Sequence, residues 1–121
     1  MVIDFQAEIN QDRLDMVFGA LSDPIRRGML EQLAAGETSI SKLAEPYDVS
    51  QPAISKHMRV LERAGLISRT KQGREHRIRV NTAPIEQARG WIGIYARLWK
   101  EQFDAVDEYL KNKEKRKGRN S

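Results

Sequence analysis

The sequence of 121 residues contains no cysteine and only two histidines. The absence of cysteine excludes disulfides, thiol redox switches, thiolate metal sites and cysteine nucleophiles. His57 and His76 are 19 residues apart, which is not a metal-ligand spacing, so few ligands remain for a zinc site. The composition therefore predicts neither a metal nor another cofactor.

Long hydrophobic runs are also missing. No segment approaches the roughly 20 apolar residues that a membrane span needs. Residues 1–5 lack a basic segment followed by an apolar one, so no secretory signal is predicted and we expect a cytoplasmic protein. There is no glycine-rich phosphate loop, and neither histidine has a nucleophile in register, so an enzyme is the least favoured class.

The charge is distributed unevenly along the chain. Although the net charge is only +4, residues 50–80 carry eight basic and two acidic side chains, and residues 111–121 carry six and one. The other segments are acidic. A compact basic block in acidic surroundings indicates a surface that faces a polyanion such as nucleic acid. A solvated charged face is the alternative interpretation.

The N-terminal half contains residues typical of the starts and ends of successive helices. An apolar face predicts a first helix over residues 12–21 after a loosely held lead-in at 1–11. Asp23 and Pro24 suit the cap and first turn of a second helix, which runs to residue 35 before Gly36. Thr38 or Ser39 starts a short third helix that ends near residue 45.

The remaining elements are a fourth helix, a hairpin and a long helix. Ser50 caps the fourth helix, which ends at Gly65. Two β-type runs at 66–71 and 76–80 flank a glycine-containing turn and predict a hairpin. A last helix begins at Thr82 or Pro84 and runs to about residue 113. The tail at 111–121 is predicted to be disordered because it is too charged to pack.

This order predicts a mainly α protein with a small β-hairpin, the layout of a winged helix-turn-helix that spans residues 12–110. Between its third and fourth helices, Asp48 lies where many such turns use a glycine in the left-handed conformation, which Asp tolerates. Val49 and Ile54 are apolar, as the packing between these two helices requires.

The fourth helix has an apolar face and a polar face when its residues are spaced by 100°. The polar face is basic and begins at the helix N-terminus, which suits insertion into the major groove of double-stranded DNA. Gln can pair with adenine, Arg or Lys with guanine, and a helix N-terminus favours phosphate. The predicted DNA-binding residues here are Ser50, Gln51, Pro52, Ser55, Lys56 and Arg59. An ordinary polar surface helix is the alternative, and His57 is expected in a packed, hydrogen-bonded position.

The hairpin carries five basic side chains and one acid, Glu75. Lys71 and Arg74 flank Gly73 and are predicted at the hairpin tip, where they can contact a phosphate strand or enter a minor groove. The alternative is a solvated edge hairpin whose cations prevent aggregation.

The last helix sustains an apolar seam over 25 residues, more surface than a small domain can cover. We therefore expect this seam to meet a second copy in a two-fold dimer. The predicted dimerisation residues are Ile92, Tyr95, Trp99, Phe103, Val106 and Leu110. A purely intramolecular helix is the alternative.

Residues 21–81 resemble the ArsR/SmtB family of winged helix-turn-helix repressors. The resemblance rests on SDP followed by Arg26 and Arg27, on SQPAISKH at 50–57 and on LERAGLI at 61–67. It implies a homodimeric repressor on an inverted-repeat operator, often in its own promoter, with Gln51 and Ser55 in the major groove. The aromatic segment 91–110 resembles the final helix of a subgroup that lacks metal sites.

The chain departs from the family's metal sensors. The metal sensors carry a cysteine pair in the third helix, where this sequence reads LAEP at 43–46. Other sensors use Asp and His pairs on the last helix, where Asp104, Asp107 and Glu108 of this sequence have no histidine beside them. The effector is left open: a small organic molecule, a protein or none. Two other classes also stay open, a winged-helix interaction module and a protein that coats DNA without sequence preference.

Overall fold

The computed structural model describes residues 11–119, and the predicted lead-in lies outside this range except for Gln11. The elements are α1 (Gln11–Ala20), α2 (Pro24–Leu33), β1 (Thr38–Ser39), α3 (Ile40–Ala44), α4 (Gln51–Arg63), β2 (Ile67–Gln72), β3 (Glu75–Val80) and α5 (Ala83–Arg119). The chain divides into two compact units, one ending at Ala88 and one beginning at Arg89. The predicted order of helices and hairpin is confirmed, so the fold is a winged helix-turn-helix.

The structure adds a short strand that the sequence pattern did not predict. β1 pairs antiparallel with β3 in the register Thr38↔Ile78 and Ser39↔Arg77, giving a sheet of order β1-β3-β2. Two residues are too few to show an alternating pattern. Ser39 was predicted only as a cap, and it serves as both strand residue and cap.

Three helices begin at the predicted capping residues. Asp23 Oδ2 accepts hydrogen bonds from the amides of Ile25 (2.9 Å) and Arg26 (3.1 Å). Ser39 Oγ accepts from the amide of Lys42, and Ser50 Oγ from the amide of Ala53, each at 3.3 Å. Because these side chains satisfy amides that have no partner within the helix, each helix start is set locally.

The first unit encloses the apolar core. It is built from buried side chains of α1 to α4, the sheet and the first turns of α5: Leu14, Val17, Ala20, Met29, Leu33, Leu43, Ile54, Met58, Leu61, Ala64, Leu66, Ile67, Ile78 and Ala88. The predicted apolar face of α4 is therefore in the core. Burial of these side chains is what holds the helix-turn-helix and the hairpin in one unit.

Two expectations for the turn between α3 and α4 were wrong. Asp48 is not left-handed, because no residue other than glycine has a positive φ in the described chain. Residues 45–50 connect the two helices without any residue of positive φ. Val49 is 39% exposed rather than packed between the helices, whereas Ile54 is buried as expected.

The helix α2 ends earlier than predicted, at Leu33 rather than at residue 35. Gly36, with φ of 125°, therefore lies two residues after the C-cap Ala34, whereas the prediction placed it directly after the helix.

The last helix is longer than predicted. It continues to Arg119, past the expected end near residue 113, so the segment 111–119 is helical where the sequence predicted disorder. Lys, Glu and Arg are good helix formers, and a helix already started extends at little cost. A Lys111–Asp107 ion pair of 3.2 Å, one turn apart, adds modest support. The predicted lack of packing agrees with the exposure of residues 111–118.

Candidate nucleic-acid interface

The helix α4 presents its N-terminal half to solvent. All six residues predicted to contact DNA on this helix and its cap, Ser50, Gln51, Pro52, Ser55, Lys56 and Arg59, are exposed. The opposite face holds Ile54, Met58 and Leu61 in the core with 3% exposure or less. Core packing therefore turns the polar face outward, and its shape and polarity match what the major groove accepts.

The cations on this exposed face have no ion-pair partner among the residues that the structure describes. Across residues 11–119, no ion pair involves Lys56 or Arg59. Unpaired cations can interact fully with phosphates or with guanine edges, because no internal partner has to be displaced first.

The hairpin formed by β2 and β3 is the wing. Gly73 has φ of 65° in the tight turn between Gln72 and Glu75, a conformation that favours glycine. Lys71 and Arg74 flank it, and both are exposed. The predicted position of Lys71 and Arg74 at the hairpin tip is therefore confirmed.

The five basic residues of the wing fall into two groups. Arg69 pairs with Glu62 of α4 at 2.6 Å, and Arg77 pairs with Glu37 at 3.2 Å and with Glu75 at 3.6 Å. Arg69 and Arg77 therefore tie the wing to neighbouring elements. Lys71, Arg74 and Arg79 form no ion pair with any residue of the described range, and they leave their charge available to an outside anion.

A polar cluster connects α1, α2 and α4. Arg26 donates from Nε to the carbonyl oxygen of Ala20 (2.8 Å) and from Nη2 to that of Gly19 (3.2 Å). Its Nη1 lies 3.0 Å from His57 Nδ1, which is 3.8 Å from Asp23 Oδ2. His57 is thus hydrogen-bonded and packed, as expected, with 15% of its side chain exposed.

Asp23 is the acidic member of this cluster. Burial raises the pKa of Asp23, but the amide of Arg26, the side chains of His57 and Arg26 and the amide of Ile25 lower it more. The pKa therefore lies below the ordinary value of 3.8, and the carboxylate stays ionised as a helix cap.

A tyrosine anchors the turn before α4 to α2. Tyr47 donates its hydroxyl to Gln32 Oε1 at 3.0 Å. It lies against Gly28, where a Cβ would overlap the hydroxyl. Burial, together with the charge of Glu31, raises the pKa of Tyr47, so the phenol stays protonated and can donate. Sequence patterns missed this contact because it joins residues that no local periodicity links.

The second unit is the continuation of α5 from Arg89. Five of its six predicted dimerisation residues are largely exposed: Ile92 (49%), Trp99 (62%), Phe103 (72%), Val106 (56%) and Leu110 (52%). The sixth, Tyr95, is half-buried, and its ring centroid lies 4.7 Å from that of Trp91. Single exposed apolar residues are common on protein surfaces, but a continuous row of them is typical of an interaction site.

No helix within residues 11–119 is both long enough and apolar enough to cross a membrane. The described residues also contain no group of three or more His, Asp or Glu side chains arranged to hold a metal ion.

The outward polar face of α4 and its cationic wing define the class of a winged helix-turn-helix DNA-binding protein. A family described as a helix-turn-helix domain matches residues 21–70. The transcriptional repressor SdpR of Bacillus subtilis is 33% identical over 79 residues, which cover 65% of this chain and 88% of the repressor.

Solved structures agree with this relationship. A crystal structure of an ArsR family transcriptional regulator is 34% identical and has a TM-score of 0.72, covering 76% of this chain and 95% of its own. An ArsR-like regulator from Rhodococcus sp. RHA1 is 33% identical with a TM-score of 0.68, covering 81% and 92%. The chain therefore belongs to the ArsR family of transcriptional regulators. It is a DNA-binding regulator and not an enzyme.

Proposed function

We propose that the protein is a homodimeric repressor that binds an inverted-repeat operator, including one in the promoter of its own gene. The observation that carries this proposal is the exposed face of α4, whose Lys56 and Arg59 have no ion-pair partner in the described chain. Such a face next to two unpaired wing-tip cations suits a groove flanked by phosphates. The assignment of residues 12–110 as the DNA-binding and dimerisation domain is part of the proposal.

The proposed roles follow from side-chain chemistry. Gln51 pairs with an adenine edge, and Arg59 or Lys56 with guanine. Ser50 and the first turn at Pro52 lie along a phosphate, Ser55 hydrogen-bonds a base or phosphate, and Lys71 and Arg74 contact the backbone. Contacts to base edges confer sequence preference, whereas contacts to phosphates confer affinity without it.

The test is fluorescence anisotropy at near-physiological salt. The probe is DNA from upstream of the gene that encodes this chain, and the competitor is shuffled DNA of equal length. Tight binding that shuffled DNA fails to displace is expected. If upstream fragments do not bind tightly, bound fragments are selected from the whole genome. The proposal of sequence-specific repression is contradicted if no genomic fragment binds more tightly than shuffled DNA.

The exposed seam of α5 supports the homodimer. Exposed Trp99 and Phe103 lie in the middle of a seam that runs from Ile92 to Leu110. Burying such a row against a second copy removes apolar area from water, and two-fold pairing also supplies two α4 helices for two half-sites about 34 Å apart. Trp99→Glu is expected to halve the mass measured by light scattering, because it would bury a charge in the seam.

The matched control is Arg97→Glu, which adds a carboxylate at an exposed position on the polar side of the same helix. This variant should stay dimeric. An unchanged mass for Trp99→Glu, or an equal loss of dimer in both variants, would contradict the proposed seam.

Coating of DNA without sequence preference is a second candidate. It is favoured by the exposed basic end of α5, where residues 111–118 carry Lys111, Lys113, Lys115, Arg116 and Lys117. Under this alternative, deletion of residues 111–121 removes most of the affinity and shuffled DNA competes equally. For the repressor, the deletion lowers the affinity for operator and shuffled DNA by the same factor, so the preference between them is unchanged. Either role requires access to DNA, and we accordingly propose that the protein is cytoplasmic.

A further inference from the structure

Within the polar cluster of Asp23, Arg26 and His57, a side-chain hydrogen bond joins α4 to α2, from Arg26 to His57. Other side-chain hydrogen bonds of α4 run from Ser50 to the amide of Ala53 at its cap and from Glu62 to Arg69 of the wing. Ile54, Met58 and Leu61 attach α4 to the core through apolar contacts. These contacts are non-directional, so they hold the helix in place but discriminate weakly between small rotations about its axis.

A hydrogen bond, by contrast, is directional. His57 Nδ1 lies 3.0 Å from Arg26 Nη1, and a guanidinium has only donors, so Nδ1 is the acceptor of this hydrogen bond. Arg26 itself is held by the carbonyl oxygens of Gly19 and Ala20 at the C-terminal end of α1. The position of His57 is therefore fixed relative to α2 directly and to α1 through Arg26.

We infer that Arg26 is a positioning residue for DNA reading, which acts through His57 to set the rotation of α4 about its axis. This inference rests on the proposed role of α4 in the major groove. Gln51, Ser55 and Arg59 share one rigid helix with His57, so a rotation displaces all three relative to the base edges. Phosphate contacts tolerate such a shift because they depend mainly on charge, and base contacts do not. Loss of the hydrogen bond consequently reduces sequence preference more than overall affinity.

The test compares His57→Leu with His57→Asn. Leu and Asn have nearly the same shape, so both leave a similar space where the imidazole was. Only Asn supplies an oxygen that can accept from Arg26 Nη1. Leu is the better helix former of the two, so a defect found in His57→Leu and not in His57→Asn points to the missing acceptor.

For His57→Leu we expect the ratio of shuffled-DNA Kd to operator Kd to fall about tenfold, in line with loss of a hydrogen bond to a charged group. His57→Asn is expected to stay within about threefold of wild type on the same scale. The affinity for shuffled DNA should be the same in all three proteins. Equal ratios for the two variants, or an equal loss on both DNAs, would overturn the inference.

A second measurement needs no DNA and so separates this inference from the proposed function. Amide hydrogen exchange in α4 of the free protein should be faster in His57→Leu than in His57→Asn, because the first variant has lost its directional restraint. Equal exchange rates would overturn the positioning role even if the protein binds its operator. If wild type shows no preference for any operator, the proposed function fails, and with it the link from this restraint to DNA reading.

Discussion

The two unpaired cations at the wing tip allow a quantitative prediction. Lys71 and Arg74 are exposed, and neither forms an ion pair with any residue from 11 to 119. The double substitution Lys71→Ala with Arg74→Ala should remove two phosphate contacts from each wing. It leaves the three ion pairs of Arg69 and Arg77 and the core untouched, so the fold is expected to persist.

The expected effect is a weaker dependence of binding on salt. Each neutralised phosphate adds about 0.9 to the slope of log affinity against log salt, so four lost contacts in a dimer lower it by about 3.6. Across a fourfold rise in salt concentration, wild type should therefore lose roughly a hundredfold more affinity than the double variant. Because phosphate contacts do not depend on the base sequence, the slope of log affinity against log salt should fall equally for operator and shuffled DNA.

The assay is a series of anisotropy titrations between about 50 and 200 mM salt, the range over which such slopes are resolved. The matched control is Arg77→Gln, which removes a wing cation that already pairs with Glu37 and Glu75. It should change the slope by less than about 0.9 per protomer, the equivalent of one phosphate contact. An unchanged slope in the double variant, or a larger change in the control, would refute the assignment of the wing tip to the DNA backbone.

Three further predictions concern stability and base preference. Gly28→Ala should be about 1–3 kcal/mol less stable than Gly19→Ala, because both substitutions gain helix propensity but only the Cβ at position 28 displaces the Tyr47 hydroxyl from Gln32. Equal unfolding midpoints of the two variants in urea would contradict this. Asp23→Asn keeps a capping oxygen but cannot ionise. Because the pKa of Asp23 is lowered on folding, its ionised form stabilises the fold above about pH 4, and this contribution disappears as the pH falls through the folded pKa. The stability gap between wild type and Asp23→Asn should accordingly be constant above about pH 5 and shrink as the pH falls below about 4, and a gap independent of pH would count against the ionic contribution. Gln51→Ala should weaken discrimination at one operator position by about 1–3 kcal/mol, measured with single-base operator variants, and an unaltered base preference would remove Gln51 from the set of base-reading residues.

The order of the elements and most of their boundaries follow from local features of the sequence. Capping and helical periodicity depend on residues within about four positions of one another, so Asp23, Ser39 and Ser50 mark helix starts that the structure has. The same locality explains why the outward face of α4 and the apolar seam of α5 could be predicted, because each is a property of one helix. Local reasoning failed where the surroundings decide the outcome, as at Val49, which is partly exposed rather than packed.

Which basic side chains are paired within the protein and which remain free to bind an outside anion depends on how the chain folds. Arg77 meets Glu37 across 40 positions in the sequence, and Arg26 meets His57 across 31. No pattern of spacing distinguishes Arg77 from Arg74, which lies three residues earlier with no such partner in the described chain. Strand β1 and the contact of Tyr47 with Gly28 likewise exist because folding brings distant segments together. The physical reason is that pairing depends on distance in space, which the packing of the core sets and local sequence does not.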